Sequence, residues 1–171
     1  MIDSEFFAID VASEIRSLCD SQLRGTWQMP AELVRCAVRC GAVQVSIVNR
    51  RHGFTVSWKG GRPGLTTLTD LAVALDDSAE SGVRQQAIAD LETNGDEALL
   101  WAGGVAGARL EIESSANGRN VRFSRRAGRP PRLYRAAQPE APAQTVIRWR
   151  CSKLDRRRAE LWLDLACRFS S

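Results

Sequence analysis

The chain has little of what most active sites are built from. Its 171 residues include one histidine (His52), one tyrosine (Tyr134) and two lysines (Lys59 and Lys153). His52 falls in a predicted turn and no CxxC pair occurs, which argues against a zinc site. Neither lysine has an evident catalytic partner. No apolar run approaches the ~18 residues that read as a membrane span, so neither a transmembrane helix nor a membrane partner is expected. The opening MIDSEFFAID carries acids where a secretory signal has a basic segment, so the expected compartment is the cytoplasm. The cysteines (Cys19, Cys36, Cys40, Cys151 and Cys167) are odd in number and scattered, which argues against a disulfide framework. Cys36 and Cys40 stand one helical turn apart and can share a metal face. The simpler expectation is small buried thiols, and no metal is assigned.

What is present is ordinary in amount and uneven in distribution. A hydrophobic content of 44% and a charged content of 26% suit a globular domain and exclude a disordered chain or a collagen. The length suits one domain over residues 1–171. Residues 1–100 hold nine basic against fourteen acidic residues, whereas residues 101–158 hold fourteen against four. Nearly all the cations are arginines. A half so basic attracts polyanions, although a solvated arginine-rich surface has the same composition.

Periodicity supplies the elements. Ile9, Ile15, Leu18, Cys19 and Leu23 recur at helical spacing over 8–24. Pro30 opens a second helix through residue 40, which Gly41 ends. Residues 43–49 and 54–58 alternate as strands about a turn, and a glycine-rich loop follows at 59–65. Residues 66–76 and 83–92 read as helices, followed by an apolar segment after Gly95. Residues 108–114 and 120–126 alternate about Asn117-Gly118, a strong hairpin signal. Residues 136–144 read as a loop and 145–150 as a last strand. A final helix starts at a capping pair, Ser152 and Asp155, with a stripe of Leu154, Leu161, Trp162, Leu165 and Phe169. Trp58, Trp101, Trp149 and Trp162 all fall at apolar phases and are expected in the core. This order predicts an α+β two-layer sandwich, with helices on one face of a mostly antiparallel, mixed sheet.

Three stretches resemble the GHKL ATPases, the Bergerat-fold superfamily, and among them the MutL N-terminal domain. AELVRCAVRCGAVQVSIV at 31–48 is similar to a motif reading E-L-V-x-N-S-x-D-A-G-A, with Glu32-Leu33-Val34 and Gly41-Ala42 in place. The segment from Asn94 resembles a G-E-A-L helix and the strand after it through Glu97, Ala98, Leu99, Val105, Arg109 and Leu110. Residues 136–149 resemble the loop and Gly-Thr-led strand that close the core, with Gln144 for the glycine and Thr145 retained.

The resemblance implies an ATP site and assigns positions in it. Glu32 stands where the general base stands. Cys36 replaces the asparagine that holds magnesium, and a thiol is a poor ligand for that hard cation. The D-x-G-x-G stretch corresponds to Trp58 and Lys59 with Gly60, Gly61 and Gly64; lysine cannot accept the adenine amino hydrogen. Gly95 and Thr145 complete the nucleotide-binding positions. Asp96 stands where a glycine meets phosphate, and an acid there repels a triphosphate. The expectation is a degenerate GHKL ATPase-like domain with weak or no Mg-ATP hydrolysis, acting on a protein partner or sensing a ligand. The alternative is an active ATPase that uses ATP and magnesium, with Glu32 as base. A second alternative is a nucleic-acid module through residues 119–135. There Arg125, Arg126, Arg129 and Arg132 flank a Gly-Arg-Pro core similar to an AT-hook. No cofactor is assigned with certainty.

Overall fold

A computed structural model describes residues 11–168 apart from residue 127. The predicted start of the first helix at 8–10, with Ile9, and Phe169 lie outside the described residues, as do the side chains of Leu18, Leu165 and Cys167. Among the described residues six α-helices and six strands follow one another: α1 (Val11–Gln22), α2 (Met29–Arg39), β1 (Val45–Arg50), β2 (Gly53–Lys59), α3 (Leu65–Ala74), α4 (Ser81–Thr93), α5 (Glu97–Gly104), β3 (Ala108–Ala116), β4 (Arg119–Arg126), β5 (Arg132–Ala137), β6 (Gln144–Cys151) and α6 (Arg156–Arg168). A short 3-10 turn, Thr26–Gln28, precedes α2. No described helix is long and apolar enough to cross a membrane.

The strands form one sheet in the order β1-β2-β6-β3-β4-β5. Every neighbouring pair is antiparallel, so the sheet is not mixed. The Asn117-Gly118 turn has positive φ at both residues, as a two-residue hairpin requires. It sets the β3–β4 register, with Ala116 opposite Arg119.

Alternation divides the sheet into an inner and an outer face. Ile47, Val56, Ile147, Ile112, Phe123 and Leu133 form one row across all six strands. This row and its neighbours pack under the helices: α2 on β1 and β2, α5 on β3, and α3 on β4 and β5. Trp149 lies at the centre. Its indole N–H donates to the Ala102 carbonyl of α5 at 2.9 Å, and its ring stands 5.3 Å from that of Phe54. Trp58 joins this core, whereas Trp162 is only partly buried and meets Trp27 edge-on at 5.3 Å. Asp155 caps α6, accepting from the Arg158 N–H at 3.1 Å.

Most predicted element ends shift by one or two residues, and two differences bear on the sheet. Val43 lies wholly exposed ahead of β1 because the turn that ends α2 still holds the chain there. β5 was not anticipated: five of its six residues are exposed, so it lacks the alternating apolar residues that announce a strand.

Candidate functional site

Two helix endings build the central cluster. α2 stops in a Schellman motif: Gly41 has φ +86°, the Gly41 N–H donates to Val38 O at 2.9 Å and the Ala42 N–H to Ala37 O at 3.0 Å. α4 stops the same way. Gly95 has φ +74°, with bonds from Gly95 N–H to Glu92 O at 3.0 Å and from Asp96 N–H to Leu91 O at 2.8 Å. These stops bring Asp96, at the start of α5, against Cys36 on α2 and Cys40 at its C-cap. The Sγ atoms of both cysteines and a carboxylate oxygen of Asp96 lie within 4.8 Å of one another.

The electrostatics favour the protonated form at Cys36 and Asp96 and the charged form at Cys40. Cys36 is fully buried; its hydrogen bond to Cys40 and its burial push the thiol far above the usual range. The same hydrogen bond lowers Cys40, since it stabilises a thiolate there. Burial also raises Asp96, although the Thr67 hydroxyl donates to its Oδ2 at 3.3 Å and Arg62 and Arg39 act the other way. Two sulfurs and a carboxylate suit a borderline-soft cation such as zinc better than magnesium. The positive charges of Arg39 and Arg62 nearby oppose any cation.

The other positions implied by the resemblance have partners of their own. Glu32 forms an ion pair with Arg35, and Arg39 donates to Glu97 at 2.6 Å. Lys59 is exposed at the end of β2. Thr145 is fully buried beneath the glycine loop, its hydroxyl 2.9 Å from Gly60 O, 3.0 Å from Arg62 O and 3.3 Å from Ser114 Oγ. Gly61 lies so close to β3 that a Cβ there would sit 2.8 Å from Ser115 O and 2.1 Å from the Ala116 Cβ. Gly61 and Gly64 line a cavity of about 450 Å³ with Leu65, Ser114, Asn120 and Arg135; Glu32 and Cys36 do not line it. Asp96 and Thr67 are the members that sequence reasoning missed. In the sequence Asp96 stands out only as an acid in place of a glycine, and no local signal links it to Cys36, sixty residues away.

The arginines of the hook-like stretch divide between the two faces of the sheet. Arg125 points inward, its Nε donating to Gly103 O at 3.2 Å and a terminal nitrogen to Leu75 O. Arg126 and Arg132 stand on the outer face and, with Arg109 and Arg129, surround a cavity of about 180 Å³. The register extends this basic surface well beyond the hook. Arg50, Gly53, Arg150, Arg109 and Arg126 form one outer row, and Arg148 and Arg132 lie in the next. Glu111 pairs with Arg109 at 2.5 Å, and Glu113 with Arg122 at 2.8 Å and Arg148 at 3.7 Å. Among the described residues no carboxylate pairs with Arg50, Arg126, Arg132 or Arg150.

No family model matches the chain, and no curated protein matches it. Solved structures do. The chain is similar to the crystal structure of the N-terminal domain of a DNA repair protein, with a TM-score of 0.56 and 15% identity over 92% of this chain. It spans about half of that structure's length, covering 46%. At this identity the comparison shows a related α+β fold.

Proposed function

We propose that the chain is a GHKL-type domain that no longer hydrolyses Mg-ATP and works as a binding module. The observation that carries this reading is the donor set at Cys36. Where the resemblance requires an amide oxygen for magnesium, the chain has a buried, protonated thiol backed by a second thiol and by an aspartate that burial pushes toward its neutral form. These residues do not fit a hard cation. Lys59 cannot serve as the adenine acceptor, and the Glu32 carboxylate is engaged by Arg35.

Thermal melting of the protein with millimolar ATP and magnesium tests this reading. The expected result is no shift in Tm, because a ligand that binds the folded state must stabilise it. A shift of several degrees, with phosphate release abolished by Glu32→Gln, overturns it in favour of the active ATPase.

A second reading concerns the partner, and the outer row of arginines favours it. Arg109 stands directly opposite Arg126 on one side and Arg150 on the other, and Glu111 pairs with Arg109 alone, so an anion over Arg126 and Arg150 relieves this opposition of like charges. A nucleic-acid backbone supplies such charge at regular intervals. The neighbouring structure's description as a DNA repair protein makes DNA the first nucleic acid to test.

A further inference from the structure

At the opposite end of α5 from the cysteines, the C-termini of α3 and α5 enclose a second cavity of about 310 Å³. Its lining includes Ile15, Leu75, Asp77, Arg84, Arg125 and the backbone from Gly103 to Gly107. Arg84 stands out among these residues. It is only 6% exposed, yet among the described residues its Nε and one terminal nitrogen have no hydrogen-bond partner. Asp77, the carboxylate that pairs with it among the described residues, lies 3.6 Å away and is itself 65% exposed, so solvent screens the pair, and Asp76 adds a weaker pull from nearby. A buried guanidinium left in this state is costly.

Two further features make the position unfavourable for an arginine with nothing bound. Arg84 is the fourth residue of α4, near the positive end of that helix, where a cation is disfavoured. Arg125 carries a second guanidinium to the same cavity. Burial, with Arg84 contributing, holds Arg125 below the usual arginine range against the opposing pull of Asp77 and Asp76. Arg125 has satisfied itself on the carbonyls of Leu75 and Gly103, whereas Arg84 still has donors to give.

The geometry points to this cavity as a binding site for a small oxyanion-bearing ligand, a carboxylate or a phosphate, held by the free edge of the Arg84 guanidinium. A planar guanidinium with two unused donors matches the paired oxygens of either group. Ile15 and Leu75 offer apolar wall to a short organic body, and at roughly 30 Å³ per water the space corresponds to about ten waters. Asp77 competes with the ligand for Arg84 and, being largely exposed, can turn to solvent when the anion enters. The proposal uses neither the Cys36 cluster nor the glycine loop and stands apart from the nucleotide reading.

The test is thermal melting of the 171-residue chain titrated with inorganic phosphate and, separately, with hexanoate, at ionic strength held constant with sodium chloride. At least one anion is expected to raise Tm saturably by several degrees, and the one that does identifies the headgroup. Arg84→Gln and Arg84→Met should both lose the response, while Arg126→Gln on the outer face keeps it. Amide resonances of the unmutated protein give a readout that does not depend on how the variants fold. Saturable shifts at residues 103–107 are expected. The proposal is overturned if neither anion acts beyond the chloride control. It is equally overturned if the response survives in both Arg84 variants, or if the amide shifts gather on Arg109, Arg126 and Arg150 instead.

Discussion

Asp96 shows how a single residue can record its surroundings in a pH profile. Its carboxyl is held above the ordinary value of 3.8, chiefly by burial. An acid raised in the folded state contributes stability that is fully present below its unfolded value and is lost as pH climbs through the folded one. Asp96→Asn removes that dependence while keeping an acceptor for Thr67. The variant should match the unmutated protein near pH 4 and melt higher at pH 7, at about 2–4 °C per kcal/mol in a chain of this size. Melting curves of both proteins from pH 4 to 7 check this; a lower Tm for the variant at pH 7 contradicts it. The residue scale is also where the sequence was least readable. The Cys36–Cys40 spacing announces a shared helix face, but Asp96 reaches that face only through the α4 stop and the start of α5. Arg84 was equally opaque, since helical phase alone does not separate a buried arginine from a solvated one.

At the scale of elements, Arg125 joins three of them. It extends from β4 to the final carbonyls of α3 and α5, where a cation also suits the helix dipoles. Arg125→Ala leaves the Leu75 and Gly103 carbonyls without that donor and should cost about 2 kcal/mol, in the range for hydrogen bonds to charged groups. Urea denaturation should show a lower midpoint with an unchanged slope. An unchanged midpoint would mean that water replaces the guanidinium at no cost. Most elements were legible because each carries a local reason for its form: Gly41 past α2, Asn117-Gly118 between β3 and β4, Asp155 ahead of α6. β5 carried none. Its pairing with β4 comes from the turn near Gly128 and from an open ladder edge, neither of which shows in hydrophobic alternation.

For the whole molecule, the charge imbalance along the chain becomes an imbalance between faces. The basic second half supplies β3 to β6, and their alternation sends Arg109, Arg126, Arg132, Arg148 and Arg150 outward. If the four outer arginines without carboxylate partners each meet a phosphate of a single strand, log affinity should fall with log salt at a slope of about −3. That is a loss of roughly fifty-fold between 50 and 200 mM salt. Fluorescence anisotropy with a labelled single-stranded oligonucleotide measures it. Arg150→Glu should weaken binding and reduce the slope, whereas Arg156→Glu on α6 should do so far less. Binding that is flat in salt contradicts the second reading. The two-layer architecture was readable from the order of elements, but the basic face was not. It depends on which strands become neighbours, and β6 enters between β2 and β3 from the far end of the chain.

The outermost strand on the hairpin side has one more effect. β5 leaves its backbone ladder open on one margin, bears Arg132 and Arg135, and follows Pro130 and Pro131. Two molecules meeting rim to rim there would bring four guanidinium groups together before any interstrand bond could form. Mutual repulsion thus discourages the sheet from growing into its neighbour's and leaves the molecule free to stay a separate unit.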